Sequence, residues 1–253
     1  MIDLRQINVP SAPMRSSFDE NSDLISESLF GEQFQVMKTK NKWCYGINQI
    51  DKYSGWIEQE KLIPANKHSH IINVPRSLIL SEPNVKSNII QYLPFMSLIN
   101  VIKQDNDWGV VKINNKFGYI NKKHYVAKNY IDNDWVKYAV SLLNTPYHYG
   151  GRDSIALDCS ALLQLSLRFS GIHLERDTKD QIKNKLLKDT KISKIKRGSI
   201  IFWKNHVAIA INNSEIIHAN GYHMKTCIEN FNIANERIEK TNGKILKIKY
   251  INL

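Results

Sequence analysis

Short runs of alternating hydrophobic and polar residues fill the first half of the chain. Such runs occur at residues 34–37, 43–47 and 55–57, and turn-forming residues separate them. Strands that are this short and this closely spaced are typical of a small β-barrel. Residues 1–17 show little periodicity and contain two prolines, so we expect an extended arm there.

The same arrangement returns further along the chain. Trp43 lies 12 residues before Gly55, and Trp108 lies 10 residues before Gly118, so each copy has a tryptophan-led strand, a turn and a glycine-aromatic-isoleucine strand. Two copies are too few for a solenoid, and a tandem of small barrels is favoured. This layout resembles tandem bacterial SH3-like domains.

In the second half of the chain, the spacing of apolar residues changes to that of helices. Asp132 is a favourable N-cap, and Trp135 and Ala139 fall on one helical face after it. A second helix is predicted to open at residues 158–160, and β-like runs follow between residues 199 and 251. Helices followed by an antiparallel sheet predict an α+β domain.

These patterns divide the chain into four segments. We predict an N-terminal arm at residues 1–17, a first barrel at 18–66, a second barrel at 74–127 and an α+β domain at 130–253.

Composition and charge exclude several classes of protein. Lys and Arg total 35 against 24 Asp and Glu, a net charge of +11, but the lysines are scattered and favour a solvated surface. Barrels that bind nucleic acid need a dense stripe of basic and aromatic residues, which this sequence lacks. No apolar run approaches the ~20 residues of a membrane span. We therefore expect neither a nucleic acid nor a membrane as partner.

The cysteines and the start of the chain bear on the compartment. Cys44, Cys159 and Cys227 are an odd number at wide spacings, which is typical neither of a disulfide framework nor of a C-x-x-C zinc site. A reducing compartment is therefore favoured. The first residues lack the basic end and apolar stretch of a secretory signal. We expect a cytoplasmic protein, with secretion as the alternative if further residues precede Met1.

Cys159 lies where a helix would activate a nucleophile. At a helix N-terminus, the dipole favours the thiolate, which is the form that attacks carbonyl carbon, and lowers the thiol pKa. The alternative is a thiol that merely packs under the helix. If it is activated, Cys159 is expected to react with iodoacetamide well below pH 8, and faster than Cys44 or Cys227.

A nucleophilic cysteine needs a base, and the base needs an orienting group. His206 begins one alternating run and His218 ends the next, with a polar turn at residues 212–214 between them. A hairpin of these runs can place the two imidazoles side by side, so that one orients the other. Alternatives are two hydrogen-bonded sheet histidines or a zinc site that includes Cys159. No closely spaced pair of ligands supports zinc, and we expect neither metal nor cofactor.

Six short motifs in a fixed order make a resemblance specific. They are PYHYGGR at 146–152, DCSAL at 158–162, RDT at 176–178, RGSI at 197–200, HVAI at 206–209 and IHA at 217–219. This series resembles the NlpC-type cell-wall cysteine peptidases, a papain-like family. Together with the two SH3-like barrels, it resembles the subgroup of γ-D-glutamyl-L-diamino acid endopeptidases, which are dipeptidyl-peptidase VI-like. The implied fold class is α+β, a papain-like catalytic domain preceded by two small SH3-like barrels.

The resemblance implies a role for each of ten residues. Cys159 would be the nucleophile, His206 the general base and His218 the orienting residue. Seven further residues would form the substrate site: Tyr147 beside the oxyanion, Asp158, Ser160, Asp177 and Thr178 in the wall of the acyl-side pocket, and Tyr53 and Glu27 from the first barrel, the last meeting the substrate amine.

The implied substrate is a free murein peptide, L-Ala-γ-D-Glu followed by diaminopimelate or lysine. Cleavage would fall between D-Glu and the diamino acid. Carboxylates in the pocket would pair with a free N-terminal amine, because an unpaired buried ammonium costs several kcal/mol. The resemblance therefore implies a recycling enzyme whose barrels shape the pocket. Alternatives are a catalytically inactive module that binds cell-wall peptides, a cysteine amidase or acyltransferase on the same fold, and barrels that bind wall polymer.

Overall fold

The chain forms two compact units in the computed structural model, which describes residues 3–113 and 116–252. The first unit comprises residues up to 130 together with residues 152–154, and the second comprises residues 131–151 and everything from 155 onward. Residues 1 and 2 of the predicted arm, 114 and 115 of the second predicted barrel, and 253 of the α+β domain lie outside the described residues. Within the described ranges, none of the helices has the length and apolar character needed to cross a membrane.

Seven antiparallel strands form the first sheet of the first unit, in the spatial order β3-β2-β6-β5-β4-β1-β7. They are β1 (Asp3–Ile7), β2 (Ser11–Arg15), β3 (Leu24–Leu29), β4 (Gln33–Lys40), β5 (Trp43–Asn48), β6 (Ser54–Glu58) and β7 (Leu62–Pro64). Their inward side chains form one apolar core: Ile7, Ala12, Met14, Phe34, Cys44, Ile57 and Leu62.

The prediction of an N-terminal arm at residues 1–17 is wrong for the described part of that segment. β1 pairs with both β4 and β7, and β2 pairs with β3 and β6. Ile7, Ala12 and Met14 are fully buried. Pro13 is tolerated because β2 is in register with β6 only at Arg15, so the missing N–H of the proline leaves no gap in that ladder.

Eight further strands complete the first unit in two sheets, ordered β10-β9-β14-β13-β12 and β11-β8-β15. They are β8 (His70–Ile72), β9 (Arg76–Leu80), β10 (Ile89–Pro94), β11 (Leu98–Ile99), β12 (Val101–Asp105), β13 (Trp108–Ile113), β14 (Lys116–Asn121) and β15 (Tyr125–Ala127). Phe30, which follows β3, packs into the core of these sheets. Gly31 beside it has φ of +79°, and a Cβ there would lie 2.1 Å from the Leu98 carbonyl oxygen, so only glycine fits.

The second unit has helices in its first part and an antiparallel sheet in its second, with strand order β16-β21-β17-β18-β19-β20. The helices are α1 (Val136–Ser141), α2 (Cys159–Leu167), α3 (Thr178–Gln181) and α4 (Phe231–Asn242). The strands are β16 (Lys188–Thr190), β17 (Ile200–Trp203), β18 (His206–Ala210), β19 (Glu215–Asn220), β20 (Lys225–Asn230) and β21 (Lys247–Tyr250). Helix α2 is buried along its whole length and packs against β18 and β19, whereas α4 packs against β17 and β20. The predicted α+β class is confirmed.

Candidate active site

The start of α2 is set by a local capping interaction. Asp158 has extended backbone (φ −100°, ψ 176°), and its Oδ1 accepts hydrogen bonds from the Ala161 N–H and the Ser160 hydroxyl, both at 2.9 Å. A carboxylate at the N-cap satisfies N–H groups that the first turn leaves free. Cys159 is therefore the first residue of α2, as the sequence predicts, and its side chain is buried.

Asp158 also forms a buried ion pair. Nη2 of Arg176 lies 2.6 Å from Oδ2 of Asp158 and Nη1 lies 3.0 Å from Oδ1. Arg176 Nη1 donates to Ser160 Oγ at 2.7 Å as well. Burial opposes ionisation of Asp158, but the Arg176 guanidinium and the hydrogen bonds to the carboxylate hold its pKa below the usual value. Arg176 lies in the RDT motif, yet the sequence alone assigned it no role.

The electrostatic setting of Cys159 differs from the sequence-based expectation. Burial, and next the Asp158 carboxylate, raise the pKa of the thiol to about 12, although the Val207 and Ser160 N–H groups and Arg176 pull it down. A helix dipole contributes at most about 2 kcal/mol, roughly 1.5 pKa units. Desolvation of a fully buried group shifts a pKa by up to about 3–5 units, so burial dominates. The prediction of a lowered pKa is wrong, and the resting thiol is neutral.

The two predicted histidines lie against each other in adjacent strands. His206 Nε2 is 2.8 Å from His218 Nδ1, and both side chains are buried. β18 and β19 pair in the register Ile209 to Ile217, which brings the histidines together as a hairpin would. His206 directly precedes Val207, whose backbone N–H lowers the pKa of Cys159 by stabilising its thiolate form. The backbone next to His206 thus acts on the Cys159 thiol, and the His206 side chain contacts His218.

His206 is held in its neutral form. Burial, then the proximity of His218 and Arg237, lower the pKa of His206 to about 3. A neutral imidazole keeps one nitrogen lone pair, so His206 can accept a proton at neutral pH.

The carboxylate of Glu229, which no sequence motif singles out, contacts the second histidine. His218 Nε2 lies 2.7 Å from Oε2 of Glu229 on β20, and His223 Nε2 lies 2.8 Å from Oε1. Arg237 of α4 also contacts Oε2 of Glu229. The signal available in the sequence is the hairpin of β19 and β20, in which Cys227 lies opposite His218 and Glu229 comes two residues later.

Tyr147 lies in the same unit. Its N–H donates to the Met224 carbonyl at 3.0 Å, and it forms a parallel bridge with Leu157 just before α2. Burial, and then the charge that a Cys159 thiolate would carry, raise the pKa of Tyr147 to about 12. Its phenol therefore stays protonated and can donate a hydrogen bond.

The other predicted pocket residues of the second unit lie around the start of α3. Thr178 is the first residue of α3, and Asp177 directly precedes it. Oδ2 of Asp177 lies 3.6 Å from Nζ of Lys179, an exposed ion-pair partner. The Gln181 amide donates to the Ser160 carbonyl at 3.0 Å and so joins α3 to α2. Both Asp177 and Thr178 are partly buried.

Tyr53 and Glu27 belong to the first unit. Tyr53 packs against the core of the first sheet, and Oε2 of Glu27 accepts the Arg152 N–H at 2.7 Å. Arg152 also forms a fully buried ion pair with Glu32, at 2.8 Å. The roles of Tyr53 and Glu27 stay predictions, and the sequence did not single out the Arg152–Glu32 pair.

One group of possible metal ligands occurs among the described residues. Ligand atoms of His218, Cys227 and Glu229 lie within 4.8 Å of one another, which is a different set from the zinc alternative drawn from the sequence. Glu229 already accepts from His218, His223 and Arg237. Because a guanidinium at the carboxylate disfavours a second cation, these contacts favour a hydrogen-bonded chain, and we assign no metal there.

Two segments of the chain match known protein families. Residues 144–247 match the NlpC/P60 family, and residues 14–62 match the bacterial dipeptidyl-peptidase Sh3 domain. The chain thus combines a segment similar to the bacterial dipeptidyl-peptidase SH3 domain with a later segment similar to the NlpC/P60 family. The NlpC/P60 match contains Cys159, His206 and His218, and the SH3 match begins within β2.

Individual relatives agree with this assignment. Dipeptidyl-peptidase 6 of Lysinibacillus sphaericus is 23% identical over 223 residues, covering 79% of this chain and 82% of that protein. γ-D-Glutamyl-L-lysine dipeptidyl-peptidase of Bacillus cereus is 21% identical over 261 residues, covering 85% of this chain and 78% of that protein. The crystal structure of an NlpC/P60 family protein from Bacillus cereus has a TM-score of 0.83 at 16% identity, covering 98% of this chain and 100% of that one. The predicted family resemblance and the predicted peptidase class are confirmed.

Proposed function

We propose that the NlpC/P60 domain hydrolyses the bond between the γ-carboxyl of D-Glu and the diamino acid in free murein peptides that begin with L-Ala. The observation that carries this proposal is the chain of contacts in the second unit from His206 through His218 to Glu229, with Cys159 at the start of α2 in the same unit. The names of two relatives, dipeptidyl-peptidase 6 and γ-D-glutamyl-L-lysine dipeptidyl-peptidase, support this choice of bond.

The first step is attack by a thiol that gives up its proton as it reacts. Burial disfavours both the Cys159 thiolate and the His206 imidazolium at rest. The thiol proton therefore passes to His206 while Sγ bonds to the carbonyl carbon, and His206 acts as the general base. The Val207 and Ser160 N–H groups stabilise the charge that develops on sulfur.

The tetrahedral intermediate then collapses to an acyl-enzyme. N–H groups at the start of α2 and the protonated Tyr147 phenol are the donors available for the oxyanion. Loss of one such donor commonly raises the barrier by about 2.7–4 kcal/mol. His206 returns its proton to the leaving amine of the diamino acid. Water, activated by His206, then hydrolyses the thioester and releases L-Ala-D-Glu.

Selection for a free N-terminus requires a carboxylate that can meet an ammonium group. Asp158 gives both of its oxygens to Arg176 within the second unit, so it is a poor partner for the substrate. Asp177 is the remaining acidic candidate among the predicted pocket residues of the second unit, and the role of Glu27 in the first unit stays a prediction. An enzyme with this selectivity acts on released peptides, which fits a recycling role in the cytoplasm better than digestion of the wall.

The test compares four peptide substrates with wild-type protein and Cys159→Ala. L-Ala-γ-D-Glu-diaminopimelate, its lysine analogue and the N-acetylated form of each are incubated with reduced protein, and mass spectrometry identifies the products. We expect release of L-Ala-D-Glu by wild type only. Acetylation should lower kcat/KM at least about 100-fold, because it removes the charge that a buried carboxylate would pair with.

Other results would point to the alternatives. Absence of cleavage by reduced wild type would favour a peptide-binding module, and acyl-transfer products would favour a transferase. Equal release from acetylated peptides or from intact sacculi would contradict the free-amine requirement.

A further inference from the structure

We infer that Glu229 is a positioning residue that fixes the tautomers of both histidines and leaves Nδ1 of His206 free to take the thiol proton. This inference rests on the proposed function, since it concerns the same thiol and the same base. Glu229 does not belong to any of the motifs that carry the family resemblance, and it reaches the reacting atoms only through His218 and His206.

The first step concerns the hydrogen bond from His218 to Glu229. Partial burial opposes ionisation of Glu229, but hydrogen bonds from His218, His223 and Arg237 lower its pKa to about 2. An ionised carboxylate only accepts hydrogen bonds. His218 Nε2, at 2.7 Å from Oε2, must therefore carry the hydrogen.

The second step passes this constraint to His206. Burial lowers the pKa of His218, so the ring is neutral and holds one N–H, which is on Nε2. Its Nδ1 then has a lone pair, and His206 Nε2 at 2.8 Å is the donor to it. His206 is neutral as well, so its Nδ1 is left without hydrogen and can act as the base.

Without an acceptor at position 229, the opposite arrangement becomes available. His218 can then carry its hydrogen on Nδ1 and donate to His206 Nε2. In that arrangement His206 Nδ1 carries the hydrogen and cannot take a proton from the thiol. A fixed carboxylate removes this inactive arrangement, as the aspartate does in the serine-protease triad.

Glu229 is itself held by hydrogen-bond donors on three elements. His218 approaches from β19, His223 from the turn after β19, and Arg237 from α4, while Cys227 is the nearest titratable residue on its own strand. Arg237 in turn lies over the Tyr222 ring, 4.2 Å from its centroid. These contacts keep Oε2 directed at His218.

Two substitutions separate the hydrogen-bond acceptor from its charge. Glu229→Gln keeps an oxygen that can accept from His218 and Arg237, with the amide N–H groups turned toward His223. Glu229→Leu removes the acceptor. Glu236→Leu, on the exposed side of α4, is the matched control.

The experiment combines kinetics with NMR of histidine-¹⁵N protein, using L-Ala-γ-D-Glu-diaminopimelate as substrate. In wild type and Glu229→Gln, both His206 and His218 should show the Nε2–H tautomer. In Glu229→Leu, the Nδ1–H form should appear. The kcat of Glu229→Leu should fall about 100-fold or more, the range of a lost general base, with little change in KM. Glu229→Gln should stay within about tenfold of wild type, and Glu236→Leu should equal wild type.

Unchanged tautomers in Glu229→Leu, or equal loss of kcat in the Gln and Leu variants, would overturn the inference and leave Glu229 a purely structural role. The NMR result holds whether or not the peptide is cleaved. Inactive wild type with the expected tautomers would therefore refute the proposed substrate and keep the inference.

Discussion

Replacement of Asp158 by asparagine should strongly destabilise the second unit. Arg176 is 2% exposed and Asp158 5%, and two hydrogen bonds of 2.6 and 3.0 Å join them. Removing one partner of a buried ion pair costs about 3–5 kcal/mol, because the other charge stays buried. Asparagine still caps α2 through its oxygen, so the capping contribution of about 1 kcal/mol is retained. Asp158→Ala should lose that contribution as well.

The assay uses Cys159 as a reporter of unfolding, because its side chain is buried in the same unit. At each urea concentration, a short pulse of alkylating reagent labels Cys159 in unfolded molecules, and mass spectrometry gives the labelled fraction. Asp180→Asn is the matched control: Asp180 pairs with Lys183 at 3.2 Å on the surface, where an ion pair is worth about 1 kcal/mol or less.

A second readout comes from the folded protein. The Asp158 charge raises the pKa of Cys159, so Asp158→Asn should lower that pKa and speed alkylation without urea. A stability loss below about 1 kcal/mol, or one equal to that of Asp180→Asn, would refute the argument that Arg176 depends on Asp158. So would an Arg176→Met partner substitution that recovers none of the lost stability.

Three more substitutions test other parts of the structure. Ile7→Ala should lower the free energy of unfolding by about 2–5 kcal/mol in thermal unfolding, because Ile7 is fully buried. Leu4→Ala, on the exposed side of β1, should lower it by about 0.5 kcal/mol or less. Equal losses would contradict the placement of β1. Arg152→Met should destabilise the first unit by about 3–5 kcal/mol in urea unfolding, because it leaves the buried Glu32 carboxylate without its ion-pair partner. The double variant Arg152→Met with Glu32→Met should recover part of this loss, and no recovery would contradict the ion pair. Burial lowers the pKa of His206 from 6.5 to about 3, so the stability that neutral His206 contributes is complete above pH 6.5 and is lost as pH falls toward 3. Between pH 7.5 and 4.5 wild type should lose roughly 3 kcal/mol more than His206→Gln in urea unfolding, and equal losses would argue against a buried neutral ring.

Features that depend on nearby residues were predictable. The Asp158 cap and the start of α2 at Cys159 follow from adjacent residues. The His206–His218 contact follows from a hairpin whose two strands are joined by four residues. The repeated tryptophan and glycine spacing likewise indicated two sets of strands.

Features that depend on contacts between distant residues could not be predicted from the sequence. The sequence predicts an arm in place of β1 because the pairing partners of β1, such as Val36 for Asp3 and Ile63 for Gln6, are far along the chain. Alternation over five residues next to prolines is a weak signal until those partners are known.

What this sequence determines by itself is the order of the chemistry: a capped helix that begins at a cysteine, followed by two histidines on consecutive strands. The tertiary structure alone decides their electrostatics. Helix geometry favours a thiolate at Cys159, but burial and the Asp158 charge outweigh it and keep the thiol neutral. Likewise, only the packing of β20 and α4 brings Glu229 and Arg237 to His218. Desolvation and contacts between distant segments are properties of the folded chain, and they have no local signature in the sequence.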